Sequence, residues 1–105
     1  VDHEVSICGS VAASWVHLML VTEPTEPLVA RKAAERAYRL DAAPANRWHR
    51  GRLRLATGDP EGVADIAAAI EQEPGTVCRA FSRWARTAPA EAVARLEGTR
   101  RRCGP

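Results

Sequence analysis

At 105 residues with a formal charge of +2, the chain is one domain, or a piece of a larger one, with room for a single modest core. A balance this close to neutral lacks the strong positive excess of a dedicated nucleic-acid binder. The dominance of Ala and Arg over β-branched and aromatic residues favours helix over sheet, so an all-α fold is expected.

In chain order, Val5, Cys8, Val11, Ala12, Trp15, Leu18 and Met19 recur at spacings of three and four and predict a first helix from about Glu4 to Val21. The two prolines of Thr22 to Pro27 interrupt it, because the residue before a proline is driven out of helical geometry. A second helix is predicted from Pro27 to Leu40, with Leu28, Ala33, Ala34, Ala37, Tyr38 and Leu40 on the apolar side. Arg31, Lys32, Glu35, Arg36 and Arg39 make an ordinary solvated face opposite. From Ala45 to Pro74 the pattern is helix, tight turn, helix. Leu53, Leu55, Val63, Ile66 and Ile70 provide the apolar positions, and Gly58-Asp59-Pro60 provides the break. The small residues Ala64, Ala67 and Ala68 are expected to let the paired helices approach closely.

After Pro74-Gly75, a fifth helix carries Val77, Ala80, Phe81, Trp84 and Ala85 and ends near Thr87. A short sixth, with Val93 and Leu96, is expected to stop at Gly98. Residues 1–98 then form one helical domain, and 99–105 a mobile basic tail.

Cys8, Cys78 and Cys103 are odd in number and contain no C-x-x-C pair, so neither a zinc site nor a disulfide framework is signalled. Cys8 and Cys78 read as small buried hydrophobes, and Cys103 in the tail as the one accessible thiol. The cytoplasm is the expected setting. The apolar run Val11 to Val21 is far short of the roughly 20 residues that span a bilayer.

Ala33, Ala37, Leu40 and Pro44 recur thirty residues later as Val63, Ala67, Ile70 and Pro74. The helices thus read as stacked antiparallel hairpins, about five or six helices in all. On Ala37-x-x-Leu40-Asp41-x-x-Pro44, Trp48, Gly51, Gly58-Asp59-Pro60, Val63-Ala64 and Pro74, the chain resembles the tetratricopeptide-like superfamily. More loosely it resembles the bacterial transcriptional activator domain. It departs from the family in its repeat length and in placing Arg50 and Arg54 where large apolar residues are usual. The resemblance implies a protein-interaction or dimerisation scaffold, with the helical accessory domain of a bacterial transcription regulator as one form of it.

Arg47, Arg50 and Arg54 share one helical face beside Trp48 and His49. Guanidinium groups grip carboxylate or phosphate in bidentate fashion, which makes Arg47, Trp48, Arg50 and Arg54 the candidate contacts for an acidic protein segment. Nucleic acid is the alternative ligand for the same basic face. The structural alternative is that these arginines pair with Asp59, Asp65 or Glu71 on neighbouring helices. No nucleophile–base pair, H-E-x-x-H, G-x-S-x-G or phosphate-loop motif occurs, so a non-enzymatic chain needing no cofactor or metal is expected.

Overall fold

The computed structural model describes residues 2–104, with side chains from residue 11 onward. The described residues are all-α. The helices are α1 (Asp2–Thr22), α2 (Pro27–Leu40), α3 (Pro44–Ala56), α4 (Gly62–Gln72), α5 (Pro74–Ala85), α6 (Ala90–Arg95) and α7 (Glu97–Arg100), followed by a 3-10 turn over Arg101–Cys103. Short connections force antiparallel pairing of neighbours: α1 lies against α2 and α3 against α4, while α2 packs on α3 to join the two hairpins. The stack is elongated, 42 × 30 × 20 Å. The expected placements of Val5 and Cys8 lie outside the residues whose side chains are described.

Pro27, Pro44 and Pro74 each stand in the first turn of the helix that follows. The position suits proline, whose missing N–H is one that no intrahelical carbonyl would accept. Pro44 and Pro74 therefore begin helices. The α3–α4 turn follows its sequence signals more closely. Gly58 takes φ +88°, and the N–H groups of Gly58 and Asp59 donate to the carbonyls of Leu55 and Arg54. This is a Schellman closure, and it needs the left-handed conformation that glycine adopts without strain. Asp59 Oδ1 then accepts the Glu61 N–H at 3.0 Å and turns the chain into α4.

Helix α3 is central because its sides serve different cores. Leu53 joins Met19, Ala30, Ala33 and Ala34 under the first hairpin. Trp48 and Leu55 join Ile66, Ala69, Ile70, Val77, Phe81, Ala92 and Leu96. In this second core Trp48 stacks on Phe81 with centroids 5.8 Å apart, and Trp84 meets Trp48 edge-on at 5.7 Å. Such pairs add about 0.5–1.5 kcal/mol each beyond the area they bury.

Close approach of α3 and α4 does not come from the expected alanines: Ala64 is exposed, and Ala67 and Ala68 are half-buried. It comes from Gly51 and Gly62. A Cβ on Gly51 would lie 2.8 Å from Asp65 Cβ and from Ile66 Cγ1, and one on Gly62 would collide with the Gly51 carbonyl oxygen and lie 2.8 Å from Leu55 Cγ. Helix propensity alone favours alanine over glycine by about 0.5–1 kcal/mol. Here the collision with backbone decides the sign, and Gly51→Ala and Gly62→Ala should each destabilise by about 1–3 kcal/mol in urea titrations. Gly98, in α7 with open space around its Cβ position, is the control: alanine there should be neutral or slightly stabilising.

The C-terminal expectations are corrected. Gly98 does not stop helix formation, and residues 97–103 are helical. Thr99 is buried, and Cys103 forms a disulfide with Cys78. Residues 99–103 are therefore tied to α5 rather than forming a free tail, and Cys103 is not an accessible thiol.

Candidate functional site

The arginines singled out by the sequence converge on one carboxylate. Asp65 sits in the first turn of α4, where an acidic side chain also complements the helix dipole. Its side chain is only 3% exposed. The Gly51–Gly62 approach brings its backbone against α3, so even this short side chain reaches the α3 arginines. Arg50 grips it with both ends of its fork, Nη2 donating to Oδ1 at 2.6 Å and Nε to Oδ2 at 3.1 Å. Arg54 Nη1 donates to Oδ2 at 2.9 Å, and Arg47 Nε to Oδ1 at 3.4 Å.

The network continues beyond Asp65. Arg54 Nη2 donates to Glu35 on α2 at 3.2 Å, Glu35 also lies 3.7 Å from Arg31, and Arg31 donates to Asp59 at 2.7 Å. One chain of ion pairs, hydrogen-bonded at every link but Arg31–Glu35, thus joins α2, α3, α4 and the α3–α4 turn. Desolvation works against the charge of Arg54, but the Glu35 hydrogen bond and the fields of Asp65, Glu35 and Asp59 outweigh it and raise its pKa. Its Nε is buried without a hydrogen-bond partner. The Tyr38 ring covers the outer side of the cluster, 4.1 Å from the Arg50 guanidinium and 5.8 Å from that of Arg47.

Arg47, Arg50 and Arg54 are therefore occupied within the fold, as the alternative of pairing with Asp65 foresaw, although Asp59 pairs with Arg31 instead. Trp48, expected to lie partly exposed beside them, is 4% exposed and sits in the second core. The correction has a simple cause: Trp48 points from a different side of α3, toward Phe81 and Trp84.

Arg52, on the same helix, is buried and pairs with Glu23 beyond the end of α1. Its Nε donates to His49 Nδ1 at 3.2 Å, an arrangement that leaves the proton of neutral His49 on Nε2. Burial first, and then the Arg52 charge, push the His49 pKa down from 6.5 to about 4, against a smaller upward pull from Glu23. An unfolded chain would protonate His49 near pH 6.5, while the folded chain resists until about pH 4. Its contribution is therefore complete above pH 6.5 and falls away as pH drops toward 4. Urea titrations over that window should show up to about 3 kcal/mol of pH-dependent stability from this group. His49→Gln should flatten that part of the profile.

With the α3 arginines paired within the fold, the exposed apolar side chains lie elsewhere. Every large hydrophobic side chain exposed among the described residues belongs to the first hairpin: Val11, Leu18, Leu20 and Val21 on α1, and Leu28, Val29 and Leu40 on α2. The expected inward positions of Val11, Leu18, Leu28 and Leu40 are thus not found. Trp15, Leu18, Val29 and Ala33 line a groove of about 500 Å³ between α1 and α2, edged by Lys32, Glu35, Arg36 and Arg39. The Arg36 guanidinium lies over the Trp15 ring at 5.7 Å. Glu35 is engaged by Arg31 and Arg54, whereas no carboxylate pairs with Lys32, Arg36 or Arg39 among the described residues. The face is apolar along its floor and cationic along its edge.

Among the described residues no helix is long and apolar enough to cross a membrane, and no group of His, Cys, Asp and Glu side chains could hold a metal ion. No protein-family model, curated protein or solved structure matches the chain.

Proposed function

We propose that this chain is a non-enzymatic protein-interaction module of tetratricopeptide-like build, which receives an amphipathic helix with an acidic flank on the outer face of its first hairpin. The supporting observation is that, among the described residues, the exposed large hydrophobic side chains are confined to α1 and α2. Isolated surface apolar residues are ordinary, but their concentration on one hairpin, with Leu18 and Val29 set in a charge-rimmed groove, is the pattern of an interaction surface. A helix laid in the groove would cover Trp15, Leu18 and Val29, and its acidic edge would meet Lys32, Arg36 and Arg39. This reading moves the partner surface from the Arg47–Arg54 face to α1 and α2.

Charge favours an acidic partner over face-to-face pairing of two copies, since such pairing sets Lys32, Arg36 and Arg39 against a second cationic edge. The test uses a fluorescein-labelled amphipathic peptide of about 18 residues with leucines on one face and glutamates beside them, and its lysine counterpart. The glutamate peptide should raise anisotropy and the lysine peptide should not. Leu18→Asp with Val29→Asp should reduce binding at least about tenfold, the equivalent of 1.4 kcal/mol, with an unchanged circular dichroism spectrum. Equal binding of both peptides, or no effect of the double variant, would defeat the proposal.

A further inference from the structure

The near-neutral total conceals an uneven distribution of charge. Residues 74–105 carry seven arginines against two glutamates, while residues 1–73 carry eight basic and eleven acidic residues. All seven C-terminal arginines are exposed, and among the described residues none of them forms an ion pair, every such pair falling between Glu23 and Asp65. Arg79 and Arg83 on α5 and Arg86 at its C-cap, still in helical conformation, are spaced by four and three, which puts them on one face over about 10 Å. The Cys78–Cys103 disulfide fastens the Arg101–Cys103 turn beside that helix. Between them lies a concavity of about 550 Å³, lined by Arg79, Arg83, Arg86 and Arg100 together with Ser82 and the disulfide.

We propose that this α5 face and the turn fastened to it form a nucleic-acid-binding surface that reads the phosphodiester backbone and not the bases. Guanidinium is the side chain suited to bidentate contact with phosphate, and every basic residue of this pole is an arginine. The pole exposes no large hydrophobic side chain, so it lacks the apolar anchors on which protein interfaces depend. Attraction is then almost wholly electrostatic, tolerant of sequence and steeply salt-dependent. The surface is separate from the α1–α2 groove and does not depend on the partner proposed for it.

The experiment is fluorescence anisotropy with a labelled single strand of about 20 nucleotides and a duplex of the same length, titrated with the oxidised protein from about 50 to 200 mM NaCl. Four engaged phosphates predict a loss of affinity over that range of about 150-fold for duplex and about 50-fold for single strand. The oligonucleotide bound more tightly at the low-salt end identifies the preferred geometry. Arg79→Glu with Arg83→Glu should lower affinity at least tenfold at the low-salt end and flatten the salt dependence, with helix content unchanged by circular dichroism. Phosphatidylglycerol vesicles and a polyglutamate of matched charge serve as comparators. Binding to vesicles but not to either oligonucleotide would assign the pole to membranes, and displacement by polyglutamate at equal charge concentration would assign it to acidic proteins. Either result, a salt-independent signal, or wild-type affinity in the double variant would overturn the proposal.

Discussion

Asp65→Ala should cost about 3–5 kcal/mol of folding stability, the range for removing one partner of a buried ion pair. The carboxylate is 3% exposed and serves Arg47, Arg50 and Arg54 together. Taking it away leaves three guanidinium groups, two of them against Tyr38, without their common counter-charge. Arg54 keeps Glu35, so the loss falls hardest on Arg50, whose hydrogen bonds to a carboxylate all end on Asp65. Asp65→Asn preserves shape but not charge and should cost less. The check is a double-mutant cycle of Asp65→Ala and Arg50→Met followed by urea denaturation. A coupling energy of at least about 1 kcal/mol is expected for groups in direct contact, and near-zero coupling would mean that the cluster is only a surface ornament. Longer is not better at this position either, because Asp65 Cβ already faces Gly51 at the helix crossing.

The same cluster shows how far the residues alone reveal the fold and its surfaces. Hairpin order and the α3–α4 turn are legible because glycine, aspartate and proline act locally, and because Leu53, Ile66 and Ile70 repeat at helical spacing and are buried. The side of α3 on which an arginine or tryptophan works is not local. Trp48 stands among arginines in sequence but points from a different side of the helix, and its exposure depends on Phe81 and Trp84, more than thirty residues away. One signal was present for the ion cluster: Asp65 interrupts the otherwise apolar Gly62-Val-Ala-Asp-Ile-Ala-Ala-Ala-Ile70, and a carboxylate in such a run needs a partner if it is buried. Helix α2 misleads for the opposite reason. Its leucines look like core residues, yet alanines hold the interior, at Ala30, Ala33, Ala34 and Ala37, and Leu28 remains 63% exposed. An alanine interior brings α1, α2 and α3 close together and displaces the larger side chains outward, where they become available to a partner.

Reduction of Cys78–Cys103 should lower stability by about 3.5 kcal/mol on the chain-entropy relation for a loop of this length, the two cysteines being 25 residues apart. For a domain of this size the corresponding fall in melting temperature is about 20 °C. The closed loop contains α6 and α7, and Ala92 of α6 and Leu96 between the two helices join the same core as Trp48 and Phe81, so its release is coupled to the main core and not confined to a terminus. That distinction gives the test. Reduced protein, and separately the Cys78→Ser/Cys103→Ser variant, should unfold in a single urea transition at a lower midpoint with nearly the same slope. A second, earlier transition limited to residues 90–103 by hydrogen exchange would instead mean that the C-terminal helices open independently. The cost also bears on setting. Structural disulfides persist in oxidising compartments and are rare where glutathione keeps thiols reduced, so the disulfide-bonded form corrects the ground on which a cytoplasmic setting was expected. If the chain works in the reduced state, its helical stack must rest on the two cores and the Asp65 cluster alone. Gly51, Gly62 and Asp65 should then tolerate less change in the reduced protein than in the oxidised one, and measuring the Gly51→Ala variant under both conditions tests that directly.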